Sequence, residues 1–448
     1  MTTRATETTA TETTATATAT VANVVPTTTG RGRRPWATGA IALGLWAAVA
    51  AGAARPCPAA GFLIYDISGE AIGRASAVSA GTSEPSAVWF NPAALAFMEG
   101  VSASAGGVFV TARSTFSPAA GGGDTDSNRG NFFLPTVFAH AALGDRVAVG
   151  MGVYTTFGIG IRWPDGWDGR ESAIAASLKT LAFNPTIAVK LHPQWSVAVG
   201  FDAIRAAVDF TNGLPAIVGG DVRLVGGTWG YGFNAAALYR IVPDRLHAAL
   251  TYRSRVKLSF NGNADFSPAN PDFGRMLPDQ PGTAAITLPD IITAGLMGRP
   301  RPDLMLGFDA NLVLWNSYDR IDIAFSNPGT PGRTIQPDGR NAFTLRAGAD
   351  WAAQRWPGLH LRAGLIFDRA AIPAEGLGPG LPDGNRIDST LGVGYARGIV
   401  KADVGYMLVY FLPADATTGR EGPVGTYHTL AHLLGLTVAV SWPLHTTR

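Results

Sequence analysis

Along most of the chain, apolar and polar side chains alternate with a period of two, the mark of strands whose two faces meet different surroundings. From Val147 to Val153 the odd positions are Val, Val, Met and Val, and the even ones Ala, Gly and Gly. Between Leu304 and Leu314 the even positions read Leu, Leu, Phe, Ala, Leu and Leu, whereas the odd ones include Gly307, Asp309 and Asn311. The pattern returns in Phe343 to Trp351, with Arg346 and Asp350 on the polar face, and in Leu359 to Phe367, with His360 and Arg362 opposed to Leu361 and Leu365. Near the end, Leu434, Leu436, Val438, Val440 and Trp442 share one face. These runs exceed the usual strand of about five to six residues and approach the roughly nine to eleven that a tilted membrane strand needs.

Two kinds of break separate the runs, and they take turns. Tight ones occur at Gly144-Asp145, His192-Pro193-Gln194, Val242-Pro243-Asp244-Arg245, Arg299 to Asp303, Trp356-Pro357-Gly358 and around Gly398. Longer ones, rich in Gly, Pro and Asp, fall near residues 117–130, 161–178, 212–221, 267–282, 326–340, 373–384 and 412–423. After residue 100 no apolar run is long enough to cross a bilayer as a helix, so a spanning structure has to be a closed barrel. The expected fold is all-β: a transmembrane antiparallel β-barrel of about fourteen strands, with short periplasmic turns, long outer loops and both termini in the periplasm. Trp163, Trp167, Trp315, Tyr318, Trp351, Trp356 and Trp442 stand near strand ends, where interfacial girdles place aromatics.

Composition narrows the picture further. Charged residues are 15% of the chain, below the roughly 25% of soluble proteins, which removes the need for a charged exterior. The formal net charge of +2 offers no basic face for a nucleic acid, and that partner is excluded. Residues 1–30 are a Thr/Ala low-complexity segment unable to bury enough surface to fold. Residues 31–60 read as a signal peptide: Arg31, Arg33 and Arg34, an apolar run from about Ala37 to Ala54, then small residues suited to a signal peptidase. A membrane-anchoring helix is the alternative for that run. The only cysteine, Cys57, falls in this leader, which leaves the mature protein without disulfide or thiol chemistry. Pro56 before it argues against a lipid anchor.

From Gly61-Phe62 through Gly73-Arg74-Ala75 to Phe90-Asn91-Pro92-Ala93-Ala94-Leu95, the chain resembles the hatch of the outer-membrane fatty-acid and aromatic-hydrocarbon transporter family. The likeness continues in Trp163-Pro164 to Gly169-Arg170, in Phe183-Asn184-Pro185, and in a central hairpin from Leu288-Pro289-Asp290 to Leu314-Trp315-Asn316-Ser317-Tyr318. It ends with Leu381-Pro382-Asp383-Gly384-Asn385-Arg386 and with Gly425-Thr426-Tyr427 through Ala431-His432-Leu433-Leu434-Gly435. The resemblance implies signal cleavage after Ala60, residues 61–100 as a hatch inside the lumen, and residues 101–448 as the barrel. It implies passive uptake of hydrophobic molecules, long-chain fatty acids first and aromatic or alkane hydrocarbons as the alternative, with exit through a gap beside a kinked strand. It further implies that Asn91, Pro92 and Ala93 form a movable hatch turn outside the sheet ladder and that Phe62 reaches the ligand pocket. Partners would be a hydrophobic small molecule and the outer membrane's lipid and lipopolysaccharide, with a monomeric barrel. The chain departs from many such barrels by continuing from Trp442 into Pro443 to Arg448.

Inward-facing Arg253, Arg346 and Arg362 are candidates for meeting a carboxylate, although pairing with lumen acids such as Asp309, Asp350 and Asp368 competes. Other chemistry finds no support. His428 and His432 lie about 13 Å apart along a strand, too far to share one zinc unaided. Asp124-Thr125-Asp126-Ser127-Asn128 starts like a calcium loop, but Arg129 and Pro135 stand where Gly and Glu belong. With neither a Gly-x-Ser-x-Gly elbow nor a phosphate loop, no metal, cofactor or enzymatic role is expected. A lipid-acting barrel enzyme and a general porin remain the rival classes.

Overall fold

The computed structural model describes residues 61–443; the Thr/Ala segment, the leader with Cys57 and residues 444–448 lie outside them. Period-two alternation becomes one antiparallel sheet closed on itself. Its spanning strands are β1 (Val101–Pro118), β2 (Gly130–Ala142), β3 (Val147–Tyr154, resumed at Gly158–Arg162), β4 (Ala175–His192), β5 (Trp195–Gly213), β6 (Gly220–Val242) and β7 (Leu246–Arg253, resumed at Val256–Pro268). They continue with β8 (Gln280–Leu288, resumed at Ile291–Arg301), β9 (Leu304–Val313), β10 (Ala342–Ala352), β11 (Leu359–Asp368), β12 (Arg386–Arg397), β13 (Val400–Phe411) and β14 (Gly425–Trp442). The seam between β1 and β14 runs from Val101↔Trp442 to Pro118↔Gly425 and completes a closed 14-strand barrel. Every tight break and long loop expected from the sequence falls between two of these strands.

Outward positions carry the apolar side chains. Phe109, Leu391, Leu434 and Val438 are among the exposed large hydrophobics, as a lipid-facing wall requires. Inward positions carry Thr344, Arg346, Asp350, Arg362 and Asp388, all buried. Among the described residues no helix is long and apolar enough to cross a membrane.

Residues 61–100 pack against the inner face of the barrel. Two short helices, α1 (Gly69–Gly73) and α2 (Ala87–Phe90), precede a 3-10 helix at Pro92–Phe97. Ser68 caps α1 by accepting from the Ala71 N–H at 3.1 Å. The wall receives this segment on two rows of cross-strand glycines, Gly307–Gly348–Gly364 and Gly392–Gly405–Gly435. A Cβ at Gly364 would lie 2.6 Å from the Cβ of Ala75, one at Gly392 2.7 Å from the Cα of Gly73, and one at Gly405 2.8 Å from the Cβ of Ile72. Backbone therefore meets backbone, the close approach that only glycine allows.

The wall lacks ladder pairing beside two strand breaks: beside that in β7, residues 228–232 of β6 pair only with β5, and a longer stretch lies beside the break in β3. Strand β2 pairs β3 only from Val137↔Val153 to Ala142↔Ala148, while the resumed part of β3 pairs β4 alone. Residues 130–136 of β2 thus pair only with β1. Pro135 sits in this stretch, and prolines in sheets are confined to edges and bulges. Above it Asn128 donates to the Arg162 carbonyl at 2.7 Å, so the wall closes again near the long-loop rim. Through β1 this stretch is level with Leu434 and Leu436, inside the apolar belt.

Candidate transport site

At the long-loop end, the upper parts of β5, β6, β7 and β8 and the loops above them enclose a groove of about 1170 Å³, part of it open to solvent. Its walls are Val208, Phe210, Leu224, Phe260 and Ile286; its roof is Ile321, Ile323, Ile335, Ile372 and Leu381. Two charged side chains border it, Arg333 and Glu421. Glu421 accepts from the Gln336 N–H at 2.9 Å and has Arg420 at 3.6 Å. Arg333 has only carbonyl partners, Glu171 at 3.0 Å and Ser172 at 3.4 Å. Burial lowers its pKa, with Glu421 and Glu171 acting against that. A guanidinium held by carbonyls in an apolar cleft keeps an unmet preference for an anion.

Aromatic rings close the bottom of the groove. Tyr318, which lines it, sits with its ring centroid 5.0 Å from Phe62. Phe62 also meets Trp315 at 4.9 Å and Phe157 at 5.9 Å, and is fully buried. It therefore lies directly beneath the groove rather than on its surface. Under this layer a small cavity of about 10 Å³ is bordered by Phe157, Tyr154, Arg253 and Leu288. Another of about 10 Å³ reaches Arg253, Tyr65, Trp89 and Pro92.

The start of the hatch is tied to the wall, in contrast to the expectation of a plug free of the sheet. Leu63 forms a β-bridge with Phe157, made by Ile64 N–H to Thr156 at 2.6 Å and Gly158 N–H to Phe62 at 2.9 Å. The physical reason is the break in β3, whose interrupted backbone needs a partner and finds one in the passing chain. Nearby, the Asp383 carboxylate accepts from the N–H groups of Ala371 at 2.7 Å and Ile372 at 2.9 Å, and from Gly61. Burial raises its pKa to about 6, against those hydrogen bonds.

Asn91 caps the 3-10 helix that Pro92 and Ala93 begin. The Asn91 side chain accepts from Ala93 N–H at 3.0 Å and donates to the Ser79 carbonyl at 2.8 Å. Ser196 on β5 donates to the Ala93 carbonyl at 2.7 Å. The three candidate arginines part ways. Arg253 pairs with Asp202 and has its guanidinium 4.4 Å from the Trp89 ring centroid. Arg362 bridges Asp350 and Asp403, each at 2.7 Å. Arg346 lies over the Tyr65 ring at 4.2 Å with its Nε and Nη1 buried and unpartnered. Its cross-strand neighbour Asp309 is taken instead by the hatch, accepting from Val78 N–H and from the N–H and hydroxyl of Ser79. Asp368 pairs with Arg386 at 2.8 Å.

Sequence reasoning did not single out Arg333, Glu70, Glu84 or Lys401. Lys401 meets Glu70, Glu84 at 2.8 Å and Asp403 at 3.5 Å, binding the hatch to β13. The signal for it is a lysine and an aspartate on the lumen face of an alternating strand; Arg333 stands in a loop that has no such period.

The sequence profile of the family described as "Outer membrane protein transport protein (OMPP1/FadL/TodX)" matches residues 49–441. The chain belongs to this family. A FadL-family member is a transporter or channel of the outer membrane, not an enzyme, so this chain is an outer-membrane multi-pass β-barrel. It is 26% identical over 401 residues to a long-chain fatty acid transport protein of Salmonella typhi, covering 81% of this chain and 90% of that one. Among solved structures, a Pseudomonas aeruginosa FadL homologue superposes with a TM-score of 0.77 at 20% identity, over 85% of this chain and all of that one. The Pseudomonas putida toluene transporter TodX gives 0.66 at 15% identity, over 81% and 95%. Within the family, transport concerns fatty acids or hydrophobic aromatics.

Proposed function

We propose that this FadL-family barrel takes up long-chain fatty acids passively. The carrying observation is Arg333, a guanidinium with only carbonyl partners in an otherwise apolar groove. A carboxylate would meet Arg333, while the acyl chain would lie along the isoleucines and phenylalanines, where burial stabilises it by about 0.8 kcal/mol per CH₂. The chain's end then presses on Tyr318 and through it on Phe62. Movement of Phe62 would break the short bridge to Phe157 and connect the groove with the cavities beside Arg253. From there the unpaired stretch of β2 supports exit sideways into the lipid, which spares an apolar molecule the passage through bulk water. Ser196 would hold Ala93 and the lower hatch against β5, with Asn91 fixing the start of the 3-10 helix, while the first residues of the hatch move. The relative named for long-chain fatty acid transport supports the substrate class.

The test is uptake of labelled oleate and labelled toluene by cells lacking their own outer-membrane transporters, at matched surface levels. Wild type is expected to restore oleate uptake, and Arg333→Ala to weaken it roughly tenfold at low oleate, the value of one charge-assisted bond. Toluene entry should not depend on Arg333. Toluene entry without oleate entry would replace the fatty-acid reading with the hydrocarbon one, named for the TodX neighbour.

A further inference from the structure

The outer wall carries a polar patch that transport does not use. Where β13, β14 and β1 approach the long-loop rim, Arg113, Arg129, His428 and His432 border a concave surface with about 1150 Å³ of empty space beside it. All four side chains are exposed and lie on the outside of the barrel.

Their height is fixed by the strand register. Outward positions of β14 read Trp442, Val440, Val438, Leu436 and Leu434, then change to His432, Leu430 and His428. On β1, Phe109 gives way to Thr111, Arg113 and Thr115. The pairings Phe109↔Leu434, Thr111↔His432, Arg113↔Leu430 and Thr115↔His428 put the two changes level. Ten residues separate Trp442 from His432; at a rise of ~3.4 Å and a tilt of ~40° they climb about 26 Å. That matches the roughly 25 Å apolar band of such barrels. The basic patch begins where the hydrocarbon ends, in the headgroup layer of the outer leaflet.

The charge there is neutralised only in part, by Asp126, which borders the same surface. Asp126 takes Arg113 and accepts from Thr115 at 2.6 Å. Among the described residues no carboxylate pairs with Arg129, and the exposed His432 has its Nδ1 2.8 Å from the Tyr406 hydroxyl. Arginine forks and imidazoles at this height match a phosphate monoester or diester better than a carboxylate-poor, neutral lipid. Below them Phe109, Leu434 and Leu436 offer a continuous apolar surface for acyl chains.

We propose that this patch binds the phosphorylated headgroup of an outer-leaflet glycolipid, with phosphate against Arg113, Arg129 and His428 and acyl chains descending over Phe109 and Leu434. The site is independent of the groove and of its substrate.

Full-length barrel in detergent is mixed with bisphosphorylated lipid A, or with lipid A stripped of both phosphates, and lipid bound per barrel is counted by native mass spectrometry. Wild type is expected to keep the phosphorylated lipid at least roughly tenfold better than the stripped one. The triple variant Arg113→Ala, Arg129→Ala, His428→Ala should lose that preference, while Arg205→Ala on another part of the wall should keep it. Heat-modifiable gel mobility confirms that each barrel is folded. Equal retention of the two lipids by wild type, or an unchanged preference in the triple variant, overturns the site. Loss in Arg205→Ala as great as in the triple variant also overturns it, since nonspecific surface charge then explains the binding.

Discussion

Asp383 shows how much one side chain can hold. It gathers backbone N–H groups from its own loop and from Gly61, so the outer loop and the start of the hatch share a single carboxylate. Its pKa is raised to about 6, chiefly by burial. A raised carboxyl binds its proton more tightly in this contact than when free. The contact's contribution is therefore full below the ordinary carboxylate value of about 4 and declines as pH rises through about 6. Trp315 emission is expected to report looser packing around Phe62 at pH 7 than at pH 4.5, and Asp383→Asn should flatten that change; an equal change in the variant would assign it to another group. Residue identity was the least legible level in the sequence. The inward orientation of Arg253, Arg346 and Arg362 followed from alternation, but their partners did not. Asp309 lies opposite Arg346 yet serves Ser79, because a donor brought in by the hatch is 230 residues away in the chain and invisible to local spacing.

Strands were legible because each had to satisfy lipid on one side and the lumen on the other. The interruptions in β3 and β7 were not, since Thr155–Phe157 and Ser254–Arg255 carry no Gly or Pro to mark them; in β8, Pro289 signals the break. The glycines were visible as abundance, not as rows, because rows exist only once the register is set. Gly348 gives the test of that seat. A side chain there would collide with the Arg74 carbonyl, and overpacking of this kind costs about 1–3 kcal/mol. Gly348→Val should leave a folded barrel whose hatch is cut faster by added protease, whereas Gly298→Val, whose Cβ would meet nothing within 4 Å, should behave as wild type. Equal cleavage in the two would mean that the rows do not hold the hatch.

For the whole molecule, the barrel and the contents of its lumen are separate questions. A general porin would conduct, but here residues 61–97 are packed against the wall, and Lys401, Asp309 and the glycine rows all face them. Wild type is expected to conduct poorly in a planar bilayer, and removal of residues 61–97 to raise conductance severalfold in barrels shown to be folded. A high wild-type conductance would return the porin reading. The glycine seat also bears on how the protein is made. The hatch comes early in the chain, but its glycine seat belongs to β9–β14, and the contact between Glu70 and Lys401 joins residues 331 apart. Contacts of such separation form late. The plug must wait for the last strands, so a newly closed barrel passes through an unsealed stage, and the final act of folding is also the act that makes the membrane tight.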